Sequence, residues 1–183
     1  MTSERRFEGA FLGIEERDRW EYVTRVNARG VVVIIPLTRA GELIFVQQFR
    51  VPVNREVIEF PAGLVGDHDD PDEAMIVAAE RELLEETGYK SQRLRWLTRC
   101  PSSPGMSDEL LDFFLAEDAV QVGPGGGEGR ENITVHKVPY DQVDAWLATQ
   151  QRAGHTYDPK IYTALYWLER RGQLAAMLPG TTD

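Results

Sequence analysis

Five consecutive branched apolar residues, Val31 to Ile35, restrict the fold more than any other stretch of the chain. Branched side chains favour a pleated backbone, and a strand without polar alternation is buried. Around it the pattern is mostly extended. Residues 19–27 alternate, with Trp20, Tyr22, Thr24 and Val26 on one side. Arg39-Ala-Gly-Glu is a turn, so Val31–Ile35 and Leu43–Phe49 are expected to form a hairpin. Further strands are expected over Glu56–Phe60, near 92–99 and 110–116, and over Ile133–Val138. Helices are expected over 71–87, near 140–150 and over 159–177. The last starts at Asp158 as cap with Pro159 in its first position. Strands first, with helices inserted and appended, predict an α+β chain with a mixed sheet layered between helices.

Composition narrows the function classes. The chain has 183 residues, 42% apolar and 27% charged, which suits one domain with a sizeable core. Its 20 basic and 30 acidic residues leave a net charge of −10. That balance disfavours phosphate-backbone contacts with nucleic acid and binding to anionic membranes. The single Cys100 excludes an internal disulfide framework and suits a reducing compartment. Three histidines and one cysteine make no ordinary zinc site unless carboxylates supply most of the ligands. No apolar core of signal-peptide length opens the sequence and no run is long enough to cross a bilayer, so a cytoplasmic location is expected.

The segment 71–87 carries the chemistry. Asp70 is a good cap, Pro71 suits the first helical position, Glu73 completes a capping box, and Gly88 ends the helix. At about 100° per residue, with Glu82 at 0°, Glu86 falls near 40° and Glu85 near 300°. An apolar stripe of Ile76, Val77, Ala79, Leu83 and Leu84 occupies the other side, and Glu73 falls near 180°, away from the three glutamates. Adjacent anions on a helix repel. Arg81 relieves some of this through Glu85, and a hard divalent cation with oxygen ligands relieves more. Taken alone, Arg81 to Glu86 also suit a solvated acidic face.

The flanks sharpen the choice. Gly63, Glu73 and Arg81-Glu-Leu-Leu-Glu-Glu-Thr-Gly-Tyr89 resemble the Nudix box, G-x5-E-x7-R-E-U-x-E-E-x-G-U, where U is a bulky aliphatic residue. From Glu73 to Gly88 seven fixed positions match. Gly63 departs, with nine residues between it and Glu73 where the family has five. Gln47-Gln-Phe-Arg50, Glu59-Phe-Pro-Ala-Gly63 and Ser103-Pro-Gly-Met-Ser-Asp-Glu109 are similar to the branch that hydrolyses ADP-ribose and related nucleoside diphosphate sugars. Pro104, sixteen residues beyond Gly88, stands at the offset associated with ADP-ribose preference.

The resemblance implies a Nudix-like α/β/α sandwich spanning 1–183 as one domain. It also implies Mg²⁺ or Mn²⁺, more than one ion, as cofactor. Glu82 and Glu86, with the Ala62 carbonyl, are implied as principal metal ligands. Glu85 is implied as a further ligand or a base, and Arg81 as the residue that orients the glutamates. A loop glutamate, Glu131 first and Glu128 second, is implied as ligand or base on a flexible glycine-rich loop after Gly123. On the substrate side Arg50 is implied to meet phosphate and Trp20 to stack on the base. Glu109 is implied to take ribose hydroxyls, and Glu59 to serve the metal site or pair with Arg50. Arg25, Pro104 and Gly105 are implied in substrate binding. Trp96, Trp146 and Trp167 are expected in the core. The N-terminal strands, about 1–28, are similar to a segment that in some members is exchanged between subunits, which implies a homodimer. Rival expectations are the same chemistry on GDP-mannose, a dinucleoside polyphosphate or coenzyme A, and a non-catalytic nucleotide-sensing module.

Overall fold

The computed structural model describes residues 2–66, 70–127, 129 and 131–170. The strands and helices run β1 (Glu4–Glu8), β2 (Leu12–Arg17), β3 (Trp20–Arg25), β4 (Gly30–Pro36), β5 (Glu42–Arg50), β6 (Arg55–Glu59), β7 (Ala62–Val65), α1 (Met75–Thr87), β8 (Tyr89–Lys90), β9 (Arg93–Pro101), β10 (Leu110–Glu117), β11 (Val120–Gln121), β12 (Thr134–Pro139), α2 (Val143–Arg152), β13 (Thr156–Tyr157) and α3 (Lys160–Glu169). Two four-stranded sheets, β7-β4-β10-β9 and β12-β5-β6-β13, form the middle layer. Both are mixed: β10 runs parallel to β4, and β13 parallel to β6. Strands β1 to β3 make a separate antiparallel sheet.

β4 shows why its residues are all apolar. Val32 and Ile34 pack with Ala78, Ala79 and Leu83 of α1. Val31, Val33 and Ile35 pack with Val143, Leu147, Ile161, Ala164 and Leu168 of α2 and α3. Alternate residues point to opposite faces, so helices on both sides leave no solvated face. The layering is the α/β/α sandwich expected above. Truncating Leu83, which is fully buried, to Ala removes contacts worth about 2–5 kcal/mol.

Several expectations need correction. β4 and β5 do not form a hairpin: β4 pairs with β7 and β10, while β5 pairs with β12 and β6. Only a single bridge, Leu37 with Leu43, marks the turn between them. The central helix starts at Met75, not at 71. Asp70 instead accepts a hydrogen bond from the Asp72 backbone N–H (3.0 Å), a local turn that competes with helix. The apolar stripe also shifts, leaving Ile76 and Val77 exposed while Ala78, Ala79 and Leu83 are buried. At the end of the chain α3 starts at Lys160 with Pro159 in the cap position, one residue later than expected, while Asp158 Oδ1 accepts from the Lys160 N–H (2.7 Å). The expected helix continues to 177, but residues 171–177 lie outside the described residues. Trp146 and Trp167 pack against the core. Trp96 does not; it is partly exposed and donates through Nε1 to the buried Asp112 (2.8 Å). Among the described residues no helix is long and apolar enough to cross a membrane.

Candidate active site

The site is assembled where α1 lies against β7. β7 is an edge strand, so alternate residues turn peptide groups away from β4 and toward the helix. The Ala62 N–H donates to Glu86 (3.1 Å), and the Leu64 carbonyl accepts from Arg81 Nη2 (3.0 Å). Between them stands Gly63. A Cβ there would overlap the Glu82 carboxylate, so glycine at this position lets the helix's acid press against the strand backbone.

Arg81 organises the acids around itself. Its Nε and Nη2 reach Glu73 (2.9 and 3.1 Å), and Nη1 reaches Glu82 (2.8 Å) and Glu85 (3.1 Å). The hydrogen bond to Glu73 is the main reason its guanidinium holds its proton even more firmly than usual. Glu73 is neither a capping-box residue nor turned away from the other acids, as the helical wheel had it: it stands before the helix and shares Arg81 with Glu82 and Glu85. It also accepts from the Gly66 N–H (3.1 Å). The three helix glutamates are therefore not bare anions, because a guanidinium already sits beside Glu82 and Glu85. Among the described residues no three Asp, Glu, His or Cys side chains converge into a ready-made metal cage.

Glu86 is the exception. It is 4% exposed, and burial above all pushes its pKa up to about 8. The charges of Glu82 and Glu131 push the same way, against the Ala62 N–H and Arg50. A cation placed beside a buried carboxyl with two further acids would favour its ionised form. The donor set of Glu82, Glu85, Glu86 and Glu131 with backbone oxygens is chemically suited to a hard divalent ion. Burial also raises the pKa of Glu59, although Arg50 donates to it (2.6 Å) and opposes that shift.

The glycine loop is fastened to the same helix. Gly126 N–H donates to the Glu86 carbonyl (2.9 Å) and Gly127 N–H to the Glu85 carbonyl (3.0 Å). These bonds satisfy carbonyls that the helix end leaves unpaired. Gly125 has φ +66°, and a Cβ on it would overlap the Thr87 backbone. The described part of the loop is thus fastened to the end of the helix through its own backbone. It leads to Glu131, near enough for its charge to reach Glu86. Glu128 lies outside the described residues.

Most sequence-derived candidates meet in one cavity of about 610 Å³. Ala62, Arg81, Glu82, Glu85, Glu86 and Glu131 line it on the helix side. Arg25, Arg50, Glu59 and Glu109 also line it, with Arg25 donating to Glu109 (2.6 Å). Trp20 and Pro104 do not reach this space; they line a separate depression of about 270 Å³. Trp20 Nε1 donates to the Gly105 carbonyl (3.3 Å), and Val23 N–H to the Met106 carbonyl (2.8 Å), so β3 is docked on the 103–109 loop. Sequence reasoning missed Lys160, which lines the main cavity. No motif marks it; only the pairing of β13 with β6 brings it beside Glu59.

Comparison with known proteins agrees with this geometry. Residues 27–161 match the family model described as the NUDIX domain. The chain is 34% identical over 151 residues to the ADP-ribose pyrophosphatase of Bacillus subtilis (strain 168), covering 82% of this chain and 78% of that one. It is 32% identical over 161 residues to the GDP-mannose pyrophosphatase of Escherichia coli (strain K12), covering 84% and 78%. A solved structure described as an ADP compounds hydrolase has the same fold, with a TM-score of 0.67, 21% identity and 94% of each chain covered.

Proposed function

This chain belongs to the Nudix family, and from that premise we propose that it hydrolyses the diphosphate bond of ADP-ribose or a related nucleoside diphosphate sugar. The products are a nucleoside monophosphate and a sugar phosphate. One observation carries the reading: the helix acids Glu82, Glu85 and Glu86 share a single cavity with Arg25 and Arg50. A diphosphate needs its negative charge met by cations, and guanidinium groups match phosphate oxygens in a two-pronged way. The similarity to pyrophosphatases acting on ADP-ribose and GDP-mannose supports the substrate class.

Nudix enzymes generally use divalent metal ions. In this proposal Glu82, Glu86 and the Ala62 carbonyl hold Mg²⁺ or Mn²⁺, more than one ion, with Glu85 and Glu131 as further candidates. The metal supplies charge neutralisation at phosphate and lowers the pKa of water. The chain's own groups do the rest. Glu131 or Glu85 takes the proton of the attacking water. Arg50, held by Glu59, and Arg25, held by Glu109, bind phosphate and ribose oxygens. Arg81 keeps Glu82 and Glu85 aimed.

The proposal extends to a cytoplasmic homodimer built as one domain over 1–183. Phe7, Phe11, Ile14 and Trp20 are exposed on and beside the β1–β3 sheet, a surface suited to a second copy. A base stacked on Trp20 and flanked by Pro104 and Gly105 belongs to this part of the reading. The test is a panel of ADP-ribose, GDP-mannose, a dinucleoside polyphosphate and coenzyme A with Mg²⁺, with products identified for wild type and Glu86→Gln. Turnover of a nucleotide sugar that falls at least a hundredfold in the variant is expected, the scale for a group acting in the transition state. Equal rates for both proteins would refute the site.

A further inference from the structure

We infer that a second cavity, beside the β8–β11 ribbon, binds a nucleoside monophosphate and thereby tightens the ribbon from which the glycine loop runs. The binding stands on this cavity alone, while any effect on turnover rests on the proposed reaction. The cavity is about 490 Å³ and shares no lining residue with the main one. Its walls come from three places in the chain. Arg39 belongs to the turn between β4 and β5, Lys90 and Arg93 to β8 and β9, and Asp118, Val120 and Val122 to the segment around β11. Asp118 gathers two of the cations, lying 3.5 Å from Arg39 and 3.2 Å from Arg93. Arg93 also reaches Glu117 (3.3 Å), which is not part of the wall. The Ser91 hydroxyl donates to the Glu117 carbonyl (2.5 Å) and accepts from the Arg93 N–H (3.0 Å), which fixes the start of β9. Among the described residues no acid pairs with Lys90.

On a chain of net charge −10 most of the surface repels an anion. A wall with three cations and one acid attracts one. Val120 and Val122 are exposed beside these cations, and residues two apart on a strand share a side. Such a ledge suits a flat ring whose other end is anionic. A compact ammonium takes one phosphate oxygen and a guanidinium grips two. A nucleoside monophosphate joins both features, and it is also the class of product the proposed reaction releases. The cavity is tied to the helix acids by backbone. Lys90 follows Glu86 by four residues. Val120 pairs with Lys90 and Gln121 with Tyr89. The N–H groups of Val122 and Gly123 both donate to the Gly88 carbonyl (2.8 and 3.0 Å), and the next glycines hold the Glu85 and Glu86 carbonyls. A ligand touching Lys90 and Val120 bridges both strands of a ribbon too short to be stable alone. Binding therefore makes opening of the attached loop more costly.

The experiment titrates the full chain with adenosine monophosphate by calorimetry, with a chelator present, for wild type and Lys90→Ala/Arg93→Ala. The variant should bind one equivalent fewer than wild type, while its turnover of a nucleotide sugar without added monophosphate is unchanged. Adenosine and inorganic phosphate should each bind this site at least about tenfold more weakly, because each lacks half of the recognition. Deuterium exchange of amides 122–127 should slow more in wild type than in the variant when the monophosphate is added. Equal stoichiometry in the two proteins overturns the site. Inorganic phosphate binding as tightly as the monophosphate overturns the nucleoside ligand, and a lost equivalent without a difference in exchange overturns the tightening. Should the double variant unfold, Lys90→Ala, which breaks no ion pair among the described residues, reads the same quantities. A wild type that turns over no nucleotide sugar sinks the proposed reaction and leaves the titration readable.

Discussion

Glu86→Gln should stabilise the metal-free protein at alkaline pH while removing its activity. The Glu86 carboxyl titrates at about 8 instead of 4.5, mainly because it is buried. A pKa raised in the folded state means that the folded protein holds the proton more tightly than the unfolded chain. The associated stability is fully present below 4.5 and is lost as pH rises through 8. At about 1.4 kcal/mol per pH unit the displacement corresponds to about 5 kcal/mol. Relaxation and water entry reduce this, so about 2–5 kcal/mol is expected. Glutamine has nearly the same shape, keeps an acceptor for the Ala62 N–H, and never ionises. Urea unfolding in the presence of a chelator should therefore give similar stabilities at pH 5 and a clear advantage for Glu86→Gln at pH 9. In thermal melts the gap should be roughly 10 °C at pH 9, at about 2–4 °C per kcal/mol. Mg²⁺ at a hundred times its Kd should add about 2.7 kcal/mol to wild type at pH 8 and much less to the variant. A metal-free variant that is less stable than wild type at pH 9 would refute the electrostatic account of the site.

Gly63→Ala should abolish turnover without unfolding the chain, because its Cβ takes the space of the Glu82 carboxylate; circular dichroism beside the activity assay checks this. Arg81→Met should cost about 3–5 kcal/mol in urea unfolding, since removing one partner leaves the buried Glu73 and Glu82 uncompensated. Trp20→Ala should leave stability within about 0.5 kcal/mol, because the ring is 63% exposed, while KM for a nucleotide sugar rises. Solution scattering at micromolar concentration should give twice the monomer mass, and a monomer would exclude the dimer.

The acidic face of the central helix is legible in the sequence because its information is local. Glu82, Glu85 and Glu86 share one side of any helix they lie on, and Gly88, in the left-handed conformation at φ +72°, ends it. The start of that helix was misread for an equally local reason. Asp70, Pro71 and Asp72 satisfy a turn as well as they satisfy a cap, and only packing selects between the two. The apolar wheel failed similarly: α1 is pressed onto β7 by its acids, so Glu82 and Glu86 are buried while Ile76 and Val77 face outward.

From sequence alone came the types of the longer elements from β3 onward, though not the strands β1, β2, β7 and β13, together with the buried run Val31–Ile35, the carboxylate cluster and the pyrophosphatase-like segments around Arg50 and Glu109. The first three depend on side-chain periodicity or on spacing within one segment, and the last rests on family resemblance. The tertiary structure alone decided that β4 and β5 part into different sheets. It alone decided that the glycine loop clamps the helix end through Gly126 and Gly127, and that Lys160 arrives beside Glu59. Those outcomes rest on contacts between residues far apart in the chain, where strand pairing and helix docking choose among partners that are locally equivalent.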